Sequence, residues 1–268
     1  MASWHTGCFI CIFVIMNSEI PSLKIDRFKK IINIINSNKR ISLSQLEKML
    51  NASRITVQRD LVDLENRKLI RRFHGGAMSL EYSEMLYDHD IKKSVNVPAK
   101  KIIAAKAAAL IKEGSYVGLD SSSTAYYLSE TIFAGNVLVL TCGIDAFKNL
   151  STRDDIEVIL AGGRMNKKTN TLTGPETIEI IGKFHFDYVF ISAESFIPGQ
   201  GFFDPHEEEV LVKRALIAAS TKTIMLIDSS KLTDIRGKKV CNIDEVDYVI
   251  TDKPEKSGLK EIFKDIVR

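Results

Sequence analysis

The chain has 268 residues, 45% of them hydrophobic and 26% charged, with only 6 prolines. That composition excludes a disordered, collagen-like or low-complexity protein, and the length suits one or two domains. Net charge is +3, but residues Lys24 to His74 carry 13 Lys/Arg against 5 Asp/Glu, a local surplus of +8 that leaves −5 for the rest. A small basic module beside a mildly acidic body favours a polyanionic partner for the module, unless the basic surface serves solubility alone.

The first element is an apolar run of nine residues, CFICIFVIM, Cys8 to Met16. It is far short of the ~20 residues that cross a bilayer. No basic segment precedes it and no small-residue cleavage site follows, so it does not read as a secretion signal. Met16 begins a more ordinary start. Residues 1–22 are therefore read as an N-terminal extension, either from a misplaced start codon or as a weak membrane-associating or packing segment. Of the four cysteines, Cys8 and Cys11 are spaced as CxxC, but no second pair or histidine set completes a tetrahedral site, and Cys142 and Cys241 stand alone. The expectation is a reducing, cytoplasmic location with no membrane span, no metal and no cofactor.

Three helices are expected next. Ile25, Phe28, Ile31, Ile32 and Ile35 recur at three- and four-residue spacings, which makes one apolar helical face. In ISLSQLEKML, Ser42 and Gln45 have the spacing of a capping box, with Leu43, Leu46 and Leu50 on the apolar side. A short connection, Asn51-Ala52-Ser53, leads into SRITVQRDL. Ser53 suits an N-cap, and Ile55, Leu61, Val62, Leu64 and Leu69 are expected to face the core. Two helices joined this tightly match a helix-turn-helix unit, whose second helix can enter the major groove. Arg54, Thr56, Val57, Gln58 and Arg59 are the residues placed to reach bases or phosphates: arginine forks onto guanine, glutamine onto adenine, and threonine or valine methyls touch thymine. Asp60 either orients a basic neighbour or is a solubility charge. KLIRRFHGGAM then reads as two short strands around Gly75-Gly76, a wing whose Arg71 and Arg72 lie along a phosphate backbone, or else as a basic linker.

Taken together, SRITVQRDLVDLENRKLIRRFHGGA resembles the helix-turn-helix signature of the DeoR family of bacterial sugar-metabolism regulators. Ser53, Thr56, Val57, Arg59, Asp60, Leu61, Leu64, Arg72, His74, Gly75, Gly76 and Ala77 match. Two residues depart from the pattern: Gln58 stands where the first arginine of a pair is usual, and Lys68 where a glycine is common before the wing.

Residues 78–97, with Tyr82, Tyr87 and His89, read as a linker or as a segment that transmits a signal. From residue 98 the pattern changes. Ala99 to Ile111 is a strong helix former. SYVGLD, NVLVLT, EVILAG, FDYVFIS, TIMLIDS and DYVITD are six short apolar runs with helical segments between several of them, the pattern of a parallel sheet with covering helices. Ligands of such sheets bind beyond the carboxyl ends of the strands. Asp120, Ser121, Ser122, Ser123 and Thr124 offer hydroxyls and backbone N–H groups suited to a phosphate, or simply cap the next helix. Thr141, Gly162, Arg164 and Lys231 sit at other strand ends. Glu207, Glu208 and Glu209 read as a helix start; a metal role with His206 lacks a compact ligand set.

The resemblance extends from about Ile25 to Asp252 and implies an α/β fold: a winged helix-turn-helix domain over 23–77, then over 98–268 a larger α/β effector-binding and oligomerisation domain similar to ribose-5-phosphate isomerase. It implies a repressor of a carbohydrate catabolic operon, bound to double-stranded operator DNA as a homo-oligomer and released by a phosphorylated sugar or metabolite. The expected DNA-binding residues are Ser53, Arg54, Thr56, Val57, Gln58, Arg59, Arg71, Arg72 and His74. Those implied for the effector are Asp120, Ser121, Ser122, Ser123, Thr124, Thr141, Gly162 and Lys231. Glu194 and Ser195 stand where the family usually has Asp-Gly. No catalytic residue is assigned and the chain is expected not to be an enzyme; the alternative is a sugar-phosphate isomerase-like enzyme fused to a DNA-binding module.

Overall fold

The computed structural model describes residues 22–73, 75–80, 89–231 and 237–253. The apolar run at Cys8 to Met16, His74, Tyr82 and Tyr87 lie outside the described residues. The chain divides into two compact units, Met1–Glu84 and Met85–Arg268.

In the first unit three helices pack on a small sheet. α1 (Ser22–Asn38) buries Phe28, Ile31, Ile32 and Ile35, the face expected from the spacing. β1 (Arg40–Ser42) follows, then α2 (Leu43–Leu50) with the anticipated capping box: Gln45 N–H donates to Ser42 Oγ, and Ser42 N–H donates to Gln45 Oε1 at 3.0 Å. Asn51 ends α2 in the left-handed region, φ 48°. The turn delivers Ser53 as N-cap of α3 (Arg54–Asn66). β2 (Arg71–Phe73) and β3 (Gly76–Met78) form the expected hairpin, and β1 adds to it in the antiparallel order β1-β3-β2. A side chain at Gly76 would drive Cβ to 2.2 Å from the Ile41 carbonyl oxygen, so only glycine lets β3 approach β1 this closely.

One expectation about α3 is overturned. Ile55 and Val62 do not face the core; they are 62% and 38% exposed, whereas Val57 is wholly buried with Leu61 and Leu64. Residues 57, 61 and 64 follow the spacing of one helical face, and Ile55 falls on the opposite one.

The second unit centres on a six-stranded parallel sheet. Its strands are β4 (Tyr116–Leu119), β5 (Val137–Thr141), β6 (Ile156–Leu160), β9 (Phe186–Ser192), β12 (Ser220–Leu226) and β14 (Tyr248–Ile250), in the order β14-β12-β9-β4-β5-β6. All six apolar runs are strands of this sheet. Alternate residues supply two cores: Val189, Ile191 and Met225 on one face, Phe190, Ile224 and Leu226 on the other. That alternation accounts for continuously apolar strands in a sheet covered on both sides. α5 (Val97–Ala108) and α6 (Ser123–Thr131) cover the second face through Ile103, Ala104, Ala107, Ala125 and Leu128. α9 (Glu207–Ala218) covers the first through Val210, Val212 and Leu216. α5 begins earlier than propensity alone suggests, because Asn96 precedes it in the left-handed region and Pro98 occupies its first turn.

Smaller elements decorate this frame. α4 (His89–Ser94) precedes α5, α7 (Ile144–Leu150) follows β5, and α8 (Pro175–Ile181) follows the antiparallel pair β7 (Arg164–Asn166) and β8 (Thr171–Thr173). β10 (Ser195–Ile197), β11 (Gly201–Asp204) and β13 (Lys238–Cys241) form a second antiparallel sheet. α4 corrects the reading of residues 78–97 as a plain linker. His89 is buried within the second unit, and its N–H donates to the Lys168 carbonyl at 2.8 Å. No described helix is long and apolar enough to cross a membrane.

Candidate functional site

On the first unit, α3 presents Arg54, Ile55, Gln58 and Arg59 to solvent. Ser53 Oγ accepts the Thr56 N–H and lies 2.9 Å from Thr56 Oγ1, so Thr56 helps to close the helix start. Val57 was expected to reach DNA, but its complete burial removes it from any base-reading surface. Asp60 has a use that the sequence left open. It is buried, and both its oxygens accept from Arg27 of α1: Oδ1 from Nη2 at 3.0 Å and Oδ2 from Nε. This hydrogen-bonded pair also holds the Arg27 guanidinium above its usual pKa. Asp60 thus fixes the pose of the recognition helix and does not orient Arg59. In the wing, Arg71 and Arg72 are half-buried, and the Arg72 N–H donates to Glu65 Oε1 at 2.9 Å, tying β2 to α3. Arg40 stacks over the Phe73 ring at 4.1 Å.

On the second unit, strand order reverses between β4 and β9: β5 and β6 lie on one side, β12 and β14 on the other. A crevice forms beyond the carboxyl ends of two strands at such a switch point. Asp120 spans it, accepting the Ser122 N–H on Oδ1 at 2.9 Å and the Ser192 N–H on Oδ2 at 2.8 Å. Behind it lies Lys213 of α9, 3.6 Å from Asp120, hydrogen-bonded to Asp204 and to the Ser192 carbonyl at 2.7 Å. Burial would lower the Lys213 pKa, but the carboxylates of Asp204 and Asp120 outweigh it and raise it, so this is a charged internal brace.

The serine loop is partly committed to its own structure. Ser122 caps α6, accepting the Ala125 N–H at 3.1 Å, and Ser121 Oγ accepts from Thr171 Oγ1 at 2.6 Å. Ser123 and Thr124 begin α6, where helix N–H groups favour an anion. Thr141 is fully buried, and its hydroxyl accepts the Gly143 N–H at 3.0 Å. The Gly162 carbonyl accepts from Thr177 Oγ1 at 2.5 Å. The adjacent Gly163 has φ +123°, and a Cβ there would lie 2.2 Å from Thr177 Oγ1. Through these hydrogen bonds Asp120 and Thr141 each hold a loop at the strand ends in place.

Lys231 does not stand alone. Its Nζ lies 2.9 Å from Glu194 Oε1, and Lys92 Nζ of α4 lies 2.9 Å from Glu194 Oε2. Burial would raise the Glu194 pKa, but the two ammonium groups prevail and hold it well below the usual carboxylate range. Beneath them Lys100, buried, donates to the backbone carbonyls of Lys92, at 2.7 Å, and Val95. Desolvation lowers its pKa to about 8, with Asp228 opposing and Lys231 and Lys92 reinforcing. Lys92, Lys100, Lys213 and Asp204 are not singled out by the sequence, because nothing local marks the distant charge each one meets.

A further cluster corrects the expectation of a chain without catalytic chemistry. A ring nitrogen of His89 and carboxylate oxygens of Asp90 and Asp145 lie within 4.8 Å of one another, a donor set of the kind that holds metal ions in enzymes. Lys93 Nζ occupies part of this space, 3.1 Å from Asp145 and 3.7 Å from Asp90, so a metal would have to displace an ammonium. The flat exclusion of enzymatic activity does not stand beside this cluster.

Two family models match the chain. Residues 27–83 match the DeoR-like helix-turn-helix domain, and residues 95–253, more than half of the chain, match the DeoR C terminal sensor domain. The chain belongs to the DeoR family. It is a helix-turn-helix transcriptional regulator. Among its relatives, the regulator GolR of Listeria innocua is 31% identical over 90% of this chain and 95% of its own length. The transcriptional repressor GlcR of Bacillus subtilis is 31% identical over 85% and 88%. The Lactose phosphotransferase system repressor of Streptococcus mutans is 29% identical over 90% and 97%. Among solved structures, ribose 5-phosphate isomerase from Plasmodium falciparum matches 50% of this chain and 52% of its own at 17% identity, with a TM-score of 0.37. For this DeoR-family chain the family assignment rests on the models and relatives, not on that structural likeness.

Proposed function

We propose that this DeoR-family regulator represses carbohydrate catabolic genes and leaves its operator when a phosphorylated sugar or metabolite binds the second unit. The names of its relatives support the first half: one is a transcriptional repressor and two are lactose phosphotransferase system repressors. The observation that carries the second is the switch-point crevice. There the first turn of α6, with Ser122, Ser123 and Thr124, stands at the end of the strand next to β9, and Glu194 after β9 gathers Lys92 and Lys231. A phosphate can take the place of one Glu194 contact while the helix N–H groups donate to its oxygens. In this reading Asp120, Ser121, Thr141 and Gly162 shape the loops, Lys231 meets the phosphate, and the unit from about residue 98 has the architecture of ribose-5-phosphate isomerase. On the DNA side, Ser53, Arg54, Thr56, Gln58 and Arg59, with Arg71 and Arg72 of the wing and with His74, carry binding. A homo-oligomer supplies a second reading head for a repeated or palindromic operator.

Release requires that the ligand bind the DNA-free state more tightly than the bound state. The test is titration of the protein against its upstream intergenic DNA at fixed salt, with a panel of sugar phosphates and turnover of each compound followed in parallel. Ligand-sensitive release is the expected result. Binding that no phosphorylated sugar alters would overturn the proposal, and turnover would favour a catalytic body, the reading to which the His89–Asp145 cluster lends weight.

A further inference from the structure

Ile55 is unexplained by packing. At roughly 100° per residue, Ile55 and Val62 lie within ~20° of each other along the middle of the outward face of α3. Gln58 falls about 60° to one side and Arg59 about 40° to the other, whereas Val57, Leu61 and Leu64 occupy the opposite face. Burial agrees with this geometry residue by residue: Ile55 is 62% exposed, Gln58 and Arg59 are exposed, and Val57, Leu61 and Leu64 are 2% exposed or less. Arg54 and Thr56 fall about 100° to either side of Ile55, where a helix lying in a groove meets phosphates more readily than bases.

We infer that Ile55 is a specificity-determining residue that packs on the 5-methyl group of a thymine in the major groove, between bases contacted by Gln58 and Arg59. N-terminal residues of a recognition helix are those that reach base edges. An aliphatic side chain at the centre of that face can distinguish a base only by an apolar group, and in the major groove that group is the thymine methyl. A single exposed isoleucine is ordinary on a protein surface. This one stands a turn from the forking donors of Gln58 and Arg59, and Val57, the other aliphatic residue at the start of the helix, is sealed in the core. Val62, nearly two turns further along, is beyond the part of the helix that enters the groove most deeply.

The inference rests on the DNA binding of the family and not on the identity of the effector. Its test uses the full chain and duplexes that the wild-type protein selects from a randomised pool. Each thymine of the selected site is replaced singly by deoxyuridine, which lacks only the methyl group, and binding is compared for wild type, Ile55→Ala and Ile55→Val. At one thymine per half-site the wild type should lose about fourfold in affinity, the worth of one buried methyl. Ile55→Ala should bind the thymine duplex more weakly by a similar factor and be indifferent to the replacement, and Ile55→Val should remain sensitive. Because the side chain is exposed, all three proteins should melt alike. A selected site with no thymine requirement would overturn the assignment, as would equal sensitivity of wild type and Ile55→Ala to every replacement.

Discussion

Replacing Asp60 with alanine tests whether the aspartate of the helix-turn-helix signature is structural. Its side chain is 2% exposed and receives two hydrogen bonds from Arg27, which is itself 29% exposed. Removing one partner of a buried, hydrogen-bonded ion pair typically costs ~3–5 kcal/mol, because the other charge is left buried. Arg27 can turn part of its guanidinium towards water, so the expected cost is lower, about 2–3 kcal/mol. Set against the ~3–9 kcal/mol that stabilises a unit of about 60 residues, this is a large fraction. Asp63 provides the control on the same two helices. It lies 2.5 Å from Lys24, but the side chains are 41% and 33% exposed, and a solvated pair of this kind is worth ~0–1 kcal/mol. Hydrogen exchange of the α3 amides in the full chain gives the local opening free energy of each variant. Asp60→Ala should lower protection by the larger amount, Asp60→Asn by an intermediate one, and Asp63→Ala scarcely at all. Equal losses for Asp60→Ala and Asp63→Ala would refute the reasoning.

Three further outcomes are expected. Lys68 adopts φ +56°, a left-handed conformation that favours glycine; Lys68→Gly should stabilise the first unit by ~0.5–1 kcal/mol, relief of left-handed strain exceeding the added freedom of the unfolded chain, and a lower melting temperature would contradict it. The Lys100 pKa is lowered by burial to about 8, so between about pH 8 and its ordinary value near 10.5 the unfolded chain holds more protons and Lys100 makes stability rise with pH. The burial penalty is felt in full below pH 8, and Lys100→Met should remove this contribution to the pH dependence of urea unfolding; identical profiles for the two proteins would count against it. Lys231→Ala should weaken effector-driven release of DNA about tenfold, whereas Glu194→Gln, which frees Lys92 and Lys231 from their shared carboxylate, should strengthen binding of inorganic phosphate measured by calorimetry. Shifts in the same direction for both variants would sink the proposed phosphate seat.

Much of this protein is legible in its sequence because the relevant physics is local. The three- and four-residue spacing of Phe28, Ile31, Ile32 and Ile35, the Ser42–Gln45 box, the Ser53 cap and the six apolar runs each depend on residues close together in the chain, and all became the expected elements. β1 carries too short a pattern to stand out by itself, and its partner β3 follows only after α2, α3 and β2. The face of α3 is not legible at Ile55, Val57 and Val62, because apolarity alone does not say which side meets α1. Packing against α1 decided it, with Arg27 clasping Asp60 from 33 positions away. The second unit shows the same division on a larger scale. The sequence alone marks Asp120 to Thr124 and Lys231 as polar groups at strand ends, but only the strand order puts β4 beside β9. Only the tertiary fold joins Lys92 to Glu194 across 102 positions, turning separate charges into one site.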